Sequence, residues 1–394
     1  MTDFTVNNTL EAQTLEWIAT QQSVMVQSLW TLASINSGSY NVKGVNKVAD
    51  TLALWSKVLD CELEYIPMPP HEVVDDFGNR NQKPLGQALR LFKRPQAPTQ
   101  VFLCAHMDTV FPIDHPFQTI TQLDQDTING PGVADLKGGI VVMLKALEAF
   151  ERSSLQEKLG WEILFNPDEE IGSPSSSALF GNIAKRHHLG LIYEPSFADG
   201  NLAGARKGSG NFAVVTKGKA AHAGREHHIG RNALRVMADF TSALDDLNGQ
   251  QQGITINPGF IQGGGAVNIV PDTCTMRFNI RIEHSKQQAW CEAQIAIILA
   301  TINAKDGITI ELHGGFGRAP KVLSPANETL CKLVQSCGES LGLALEFLPT
   351  GGCCDGNNLA AAGLPNIDTL GVQGGKIHSS DEYMALSSLT TRSQ

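Results

Sequence analysis

Five groups of residues in this chain carry side chains that bind cations or move protons. They are His106 and Asp108 in HMDTV, Asp135 in GPGVADLKGG, Asp168-Glu169-Glu170 in FNPDEEIGS, Glu194 in YEPS, and His378 in KIHSSDEY. Histidine and carboxylate are the ligand types that a pair of borderline divalent cations takes. In two-metal sites the cations stand about 3.5–4 Å apart and usually share a carboxylate and a water. The tandem acids point the same way. Adjacent carboxylates at the end of a buried strand repel one another and lose hydration, so something must offset the cost. Taken one at a time, on spacing alone, these residues read equally as separate strand-end caps and surface charges, and that alternative stays open at this level.

Elements must bring the groups together. Gln100–Ala105 is apolar nearly throughout, as suits a central strand covered on both faces, and it ends at His106. Residues 161–165 form a second such run ending at the tandem acids, and 190–193 a third ending at Glu194. Gly138–Phe150 has helical periodicity directly after Asp135. Alternating strands and helices predict an α/β domain with a mixed, mostly parallel sheet. In such sheets the strand ends converge on a ligand crevice, so these groups would share one site.

Near residue 204 the pattern changes. Strands at 211–216, 253–260 and 273–282 alternate with helices at 232–247 and 286–303, a βαββαβ-like order. That order predicts a small antiparallel sheet with two helices on one face. From about 318 the α/β pattern resumes, with helices at 326–341 and 357–362 and strands at 344–348 and 366–370. The expectation is an α/β domain, residues 1–203 and 318–394, interrupted by a smaller α+β domain at 204–317. Two helical stretches, about 9–38 and 43–60, precede the first strand.

Bulk properties fit this plan. A chain of 394 residues exceeds what one core usually organises. A formal charge of -10 argues against nucleic acid as a partner. The eight cysteines include no C-x-x-C pair and read as reduced thiols. The first residues lack a basic region followed by an apolar core, and no apolar run approaches the ~20 residues of a membrane helix. A cytoplasmic location, with no membrane partner, is expected. Gly130-Pro-Gly132 is not followed by G-K-[ST], which rules out a phosphate loop. Cys353 and Cys354 have no base paired with them in sequence, so they read as loop thiols and not as nucleophiles.

The motifs HMDTV, GPGVADLKGG, NPDEEIGS, YEPS, GKAAHAG and IHSSDEY stand in the order seen in the co-catalytic zinc aminoacylase/carboxypeptidase family. That family includes glutamate carboxypeptidases, acetylornithine deacetylase and succinyl-diaminopimelate desuccinylase. The similarity runs from about residue 85 to 384. It resembles most the glutamate carboxypeptidase branch, where Glu fills the position of Glu194. The resemblance implies two Zn2+, with Co2+ or Mn2+ as substitutes. His106, Asp135 and Glu194 would hold one cation and Asp135, Glu170 and His378 the other. It makes Glu169 the general base acting on a zinc-bridging water, Asp108 the group orienting His106, and His222 the stabiliser of the developing oxyanion. In dimeric relatives that histidine comes from the second subunit's insert, so a homodimer through the insert is implied. Asn268 and Arg281 match positions that grip a substrate carboxylate. Gly352 and Asp355 lie in a loop resembling the family's G-G-T-D, with cysteine replacing threonine. The implied activity is glutamate-carboxypeptidase-like release of a C-terminal amino acid from a small peptide or N-acyl substrate. An N-acyl amino acid deacylase and a catalytically silent binding relative are the alternatives.

Overall fold

The computed structural model describes residues 9–394. Its centre is an eight-stranded mixed sheet, in the order 62–66, 88–93, 159–166, 99–106, 189–192, 366–368, 202–206, 347–350. The four middle strands, 159–166, 99–106, 189–192 and 366–368, run parallel to one another. Their apolar runs explain this position. Strand 159–166 is buried from Gly160 onward, and strand 99–106 from Phe102 to His106, because helices cover both faces. Trp161, Ile163 and Phe165 pack into one core cluster while Phe102, Cys104 and Leu164 pack into another. Opposite faces of the same strands thus feed two cores.

The covering helices form where periodicity and caps agree. Val42–Trp55 starts at Asn41, whose side chain accepts a hydrogen bond from the Gly44 N–H. It buries Val45, Val48, Ala49 and Leu52, one stripe of a 3.6-residue period. Pro325–Ser340 starts in the same way at Ser324, with proline at its first position. The expected helical stretch at 9–38 is two helices, Thr9–Thr20 and Gln22–Ala33. Expected strand 344–348 lies at 347–350, and helix 357–362 at 355–361.

A separate four-stranded antiparallel sheet forms the smaller domain, in the order 255–263, 273–282, 208–217, 309–318. The helices Ala233–Asp245 and Ser285–Asn303 pack on it, and Phe212, Phe240, Met276 and Ile280 lie in their shared core. Strand 202–206 still belongs to the large sheet, and the chain enters the small one at Gly208. Among the described residues no helix is long and apolar enough to cross a membrane.

Candidate metal centre and active site

The carboxyl ends of the parallel strands deliver the chemistry. His106 is the last residue of strand 99–106, Glu169 and Glu170 follow strand 159–166, and Glu194 follows strand 189–192. Asp135 reaches them from the loop before helix Gly139–Glu151. Gly139 makes that possible, because a Cβ there would lie 2.0 Å from the carbonyl oxygen of Tyr193. Only glycine lets the loop press onto the strand that ends at Glu194. His378 comes from the loop between the short strands Gly374–Gly375 and Tyr383–Ala385 and adopts φ 63°, a left-handed conformation that non-glycine residues seldom hold.

These side chains form two triads with one member in common. His106, Asp135 and Glu194 offer ligand atoms that all lie within 4.8 Å of one another, and so do Asp135, Glu170 and His378. Nε2 of His106 is 3.1 Å from Oδ1 of Asp135, and Nε2 of His378 is 3.2 Å from Oδ2 of the same carboxylate. His378 is also 3.1 Å from Glu170. Oε1 of Glu170 is buried with no hydrogen-bond partner. That orphaned acceptor, beside the two further carboxylates of Asp135 and Glu194 and two imidazoles, is the donor set a pair of divalent cations fits.

The electrostatics agree. Burial, reinforced by Asp135, pushes the Glu170 carboxyl up to about 8. Burial likewise drives Glu194 well above the usual carboxylate range. Burial opposes charge on His106, yet Asp108 and Asp135 outweigh it and raise its affinity for a proton. Hydrogen bonds to Asp135 and Glu170 raise His378 to about 11. The buried carboxyls of Glu170 and Glu194 thus favour added positive charge in their midst.

Asp108 is buried and braces the residues of the cluster. Its backbone oxygen lies 3.0 Å from Nδ1 of His106, which leaves Nε2 facing Asp135. Its carboxylate accepts the N–H groups of Glu169 (3.1 Å) and Glu170 (3.2 Å) and the Ser39 hydroxyl (2.7 Å). Asp168, the third tandem acid, is fully buried and turns away. It accepts the backbone N–H groups of Ser175 and Ser176 and the Ser176 hydroxyl, ahead of helix Ser177–Arg186.

Glu169 faces a cleft of about 630 Å³ between the two sheets, also lined by Asp135, Glu170, Glu194 and His378. Its carboxylate is 2.6 Å from the buried guanidinium of Arg318. Arg318 also donates to the backbone oxygens of Glu169 and Cys353. Nothing in the sequence singled out Arg318, since an arginine ending a strand usually points to solvent. Arg281 and Gly352 line the cleft; Asp355 does not. Asp355 is buried behind the wall, bound to Asn166, Ser173 and Arg318, and burial pushes its carboxyl up to about 7. His222 and Asn268 are neighbours on exposed loops of the small domain, away from the cleft lining. Arg206, a further cleft residue without a sequence signal, shares Asp368 with the buried Lys321.

Known proteins resemble this chain in sequence and in fold. Carboxypeptidase G2 of Pseudomonas sp. (strain RS-16) is 25% identical over 392 residues, which cover 94% of this chain and 87% of that one. A succinyl-diaminopimelate desuccinylase of Nitrosospira multiformis is 24% identical over 70% of this chain and 74% of its own. The M20 family metallo-carboxypeptidase Sso-CP2 of Sulfolobus solfataricus superposes with a TM-score of 0.72 at 15% identity, covering 94% of this chain and 96% of that one. The family model for peptidase family M20/M25/M40 matches residues 102–394, and the chain belongs to that family of hydrolases.

Proposed function

We propose that the protein hydrolyses an amide bond and releases a C-terminal amino acid from a peptidyl or N-acyl donor, as a glutamate carboxypeptidase does. Two Zn2+ are its resident cations in this reading. The observation that carries it is the pair of triads sharing Asp135, with the carboxylate of Glu169 beside both and part of neither. His106, Asp135 and Glu194 hold one cation; Asp135, Glu170 and His378 hold the other. Cations bound there would supply Lewis acidity to a carbonyl and to a water in the cleft. Glu169 accepts the proton of that water and passes it to the leaving nitrogen. Arg318 holds the Glu169 side chain in place at the cleft wall, and Asp108 holds the backbone of Glu169 and Glu170.

Carboxylate recognition is supported by the cationic lining. Arg281 has no carboxylate partner among the described residues, and its planar fork suits a substrate carboxylate. Arg206 and Lys321 share one carboxylate, which leaves a positive charge on the cleft wall beside Gly352. The exposure of His222 and Asn268, remote from the cleft, supports their delivery by a second copy of the chain. His222 then stabilises the oxyanion across a dimer formed by residues 204–317. We place the enzyme in the cytoplasm.

A panel of dipeptides and N-acyl amino acids, assayed with zinc and with chelator, tests this. Turnover of substrates with a free carboxylate, lost on chelation and restored by zinc, is expected. Turnover indifferent to chelator, or none from any amide, would overturn the proposal.

A further inference from the structure

The shared ligand, Asp135, sits on a loop whose shape is set by a carboxylate 247 positions further along the chain. Oε1 of Glu382 accepts the N–H groups of Ala134 (2.9 Å) and Asp135 (3.0 Å), and Oε2 accepts that of Gly132 (3.1 Å). Its backbone oxygen accepts from Gly130 and from the Asn129 side chain. The next residues, Tyr383–Ala385, pair antiparallel with Thr127–Asn129 and bring Glu382 to the loop. Glu382 is 1% exposed and lines no wall of the cleft, so it touches neither a substrate position nor a cation position. Two carboxylate oxygens meeting three backbone N–H groups are a strong, directional clamp.

We propose that Glu382 is the positioning residue of the two-cation centre and acts through Asp135. By fixing the backbone from Gly132 to Asp135 it holds Oδ1 toward His106 and Oδ2 toward His378, so that one carboxylate serves both triads. The inference rests on the triads of the proposed function. Its consequence is specific. A change at Glu382 disturbs both cation positions together, whereas a change at Glu194 disturbs one.

The test is calorimetric titration of metal-free protein with Zn2+, for the unaltered chain, Glu382→Gln, Glu382→Ala and Glu194→Gln. Glu382→Gln keeps the shape and one acceptor oxygen, so it decides the matter if Glu382→Ala does not fold. Two cations are expected to bind the unaltered chain, and Glu382→Gln should weaken both by ~10–100-fold. Its kcat should fall while KM stays within about twofold, the signature of lost positioning without lost substrate binding. Glu194→Gln should weaken one cation only. If Glu382→Gln binds both cations like the unaltered chain and loses only thermal stability, or weakens a single cation, the inference fails. An unaltered chain that binds no cation overturns both this inference and the proposed function. Two bound cations that respond as expected, in a protein that cleaves no amide, overturn the function alone.

Discussion

Glu169 and Glu170 are adjacent and face different partners. Glu170 meets His378 and keeps one buried oxygen unpaired, while Glu169 meets Arg318 at the cleft wall. The short 3-10 turn Glu169–Ile171, held by Asp108 through both backbone N–H groups, produces the divergence. Glu169→Gln should therefore keep both cations while kcat falls by roughly 10²–10⁴-fold, the usual contribution of a general base. Elemental analysis alongside the assay checks this, and metal loss in that variant would contradict the division of labour. Arg318→Ala would leave Glu169 and Asp355 buried without their cation. Breaking such a network costs about 3–5 kcal/mol, and urea unfolding should show that loss.

At the scale of elements, strand 366–368 carries the charge that joins the cleft to the sheet. Asp368 is buried at its end, and burial there favours the neutral form. The Arg206 guanidinium and the Lys321 ammonium outweigh burial and hold the carboxyl at about 2. A depressed folded value means that the stabilisation is complete above the unfolded value, near 4, and is lost as pH falls through about 2. The shift corresponds to roughly 2 kcal/mol. Asp368→Asn should be less stable than the unaltered chain at neutral pH, and the gap should narrow below about pH 4. Urea midpoints measured from pH 6 to pH 2 would reveal it; a constant gap would deny the ion pairs this role.

At the scale of the whole molecule, the eight-stranded sheet and the small antiparallel sheet meet at the cleft, with contacts that cross between them. Arg318 ends a strand of the small sheet yet reaches Glu169. The hairpin His71–Lys83 reaches the other way. Its Asp76 pairs with Arg277 at 2.6 Å, and Arg277 also donates to the Val74 carbonyl. The pair is exposed, so Asp76→Ala should cost at most about 1 kcal/mol. The edge strand Thr255–Gly263 of the small sheet presents mostly exposed residues, with Val267 and Ile269 exposed nearby. An open edge with exposed apolar neighbours invites pairing with another copy. Sedimentation should show a dimer, and His222→Ala should lower kcat without altering its mass. A fully active monomer would remove the cross-subunit role of His222.

Much of the fold is legible in the sequence because buried parallel strands are apolar runs that stop abruptly at polar residues. Those stops alone place His106, Glu169, Glu170 and Glu194 at one edge of a sheet. What escapes are elements without such contrast. Hairpin His71–Lys83 has a strand exposed along its whole length, and strand 309–318 is interrupted by Gly314 and Gly315, so neither shows a clear period. The family resemblance groups the six motifs, but it leaves Asp168 without a task and puts Asp355 among the substrate contacts. By itself the sequence determined which residue types end the strands, since that depends on local pattern. Only the tertiary structure decided which carboxylates face the cleft and which are spent inside it. Asp355 faces Arg318, Asp168 holds a helix start, and Glu382 clamps the loop of Asp135, because each of these contacts joins segments whose approach no local pattern encodes.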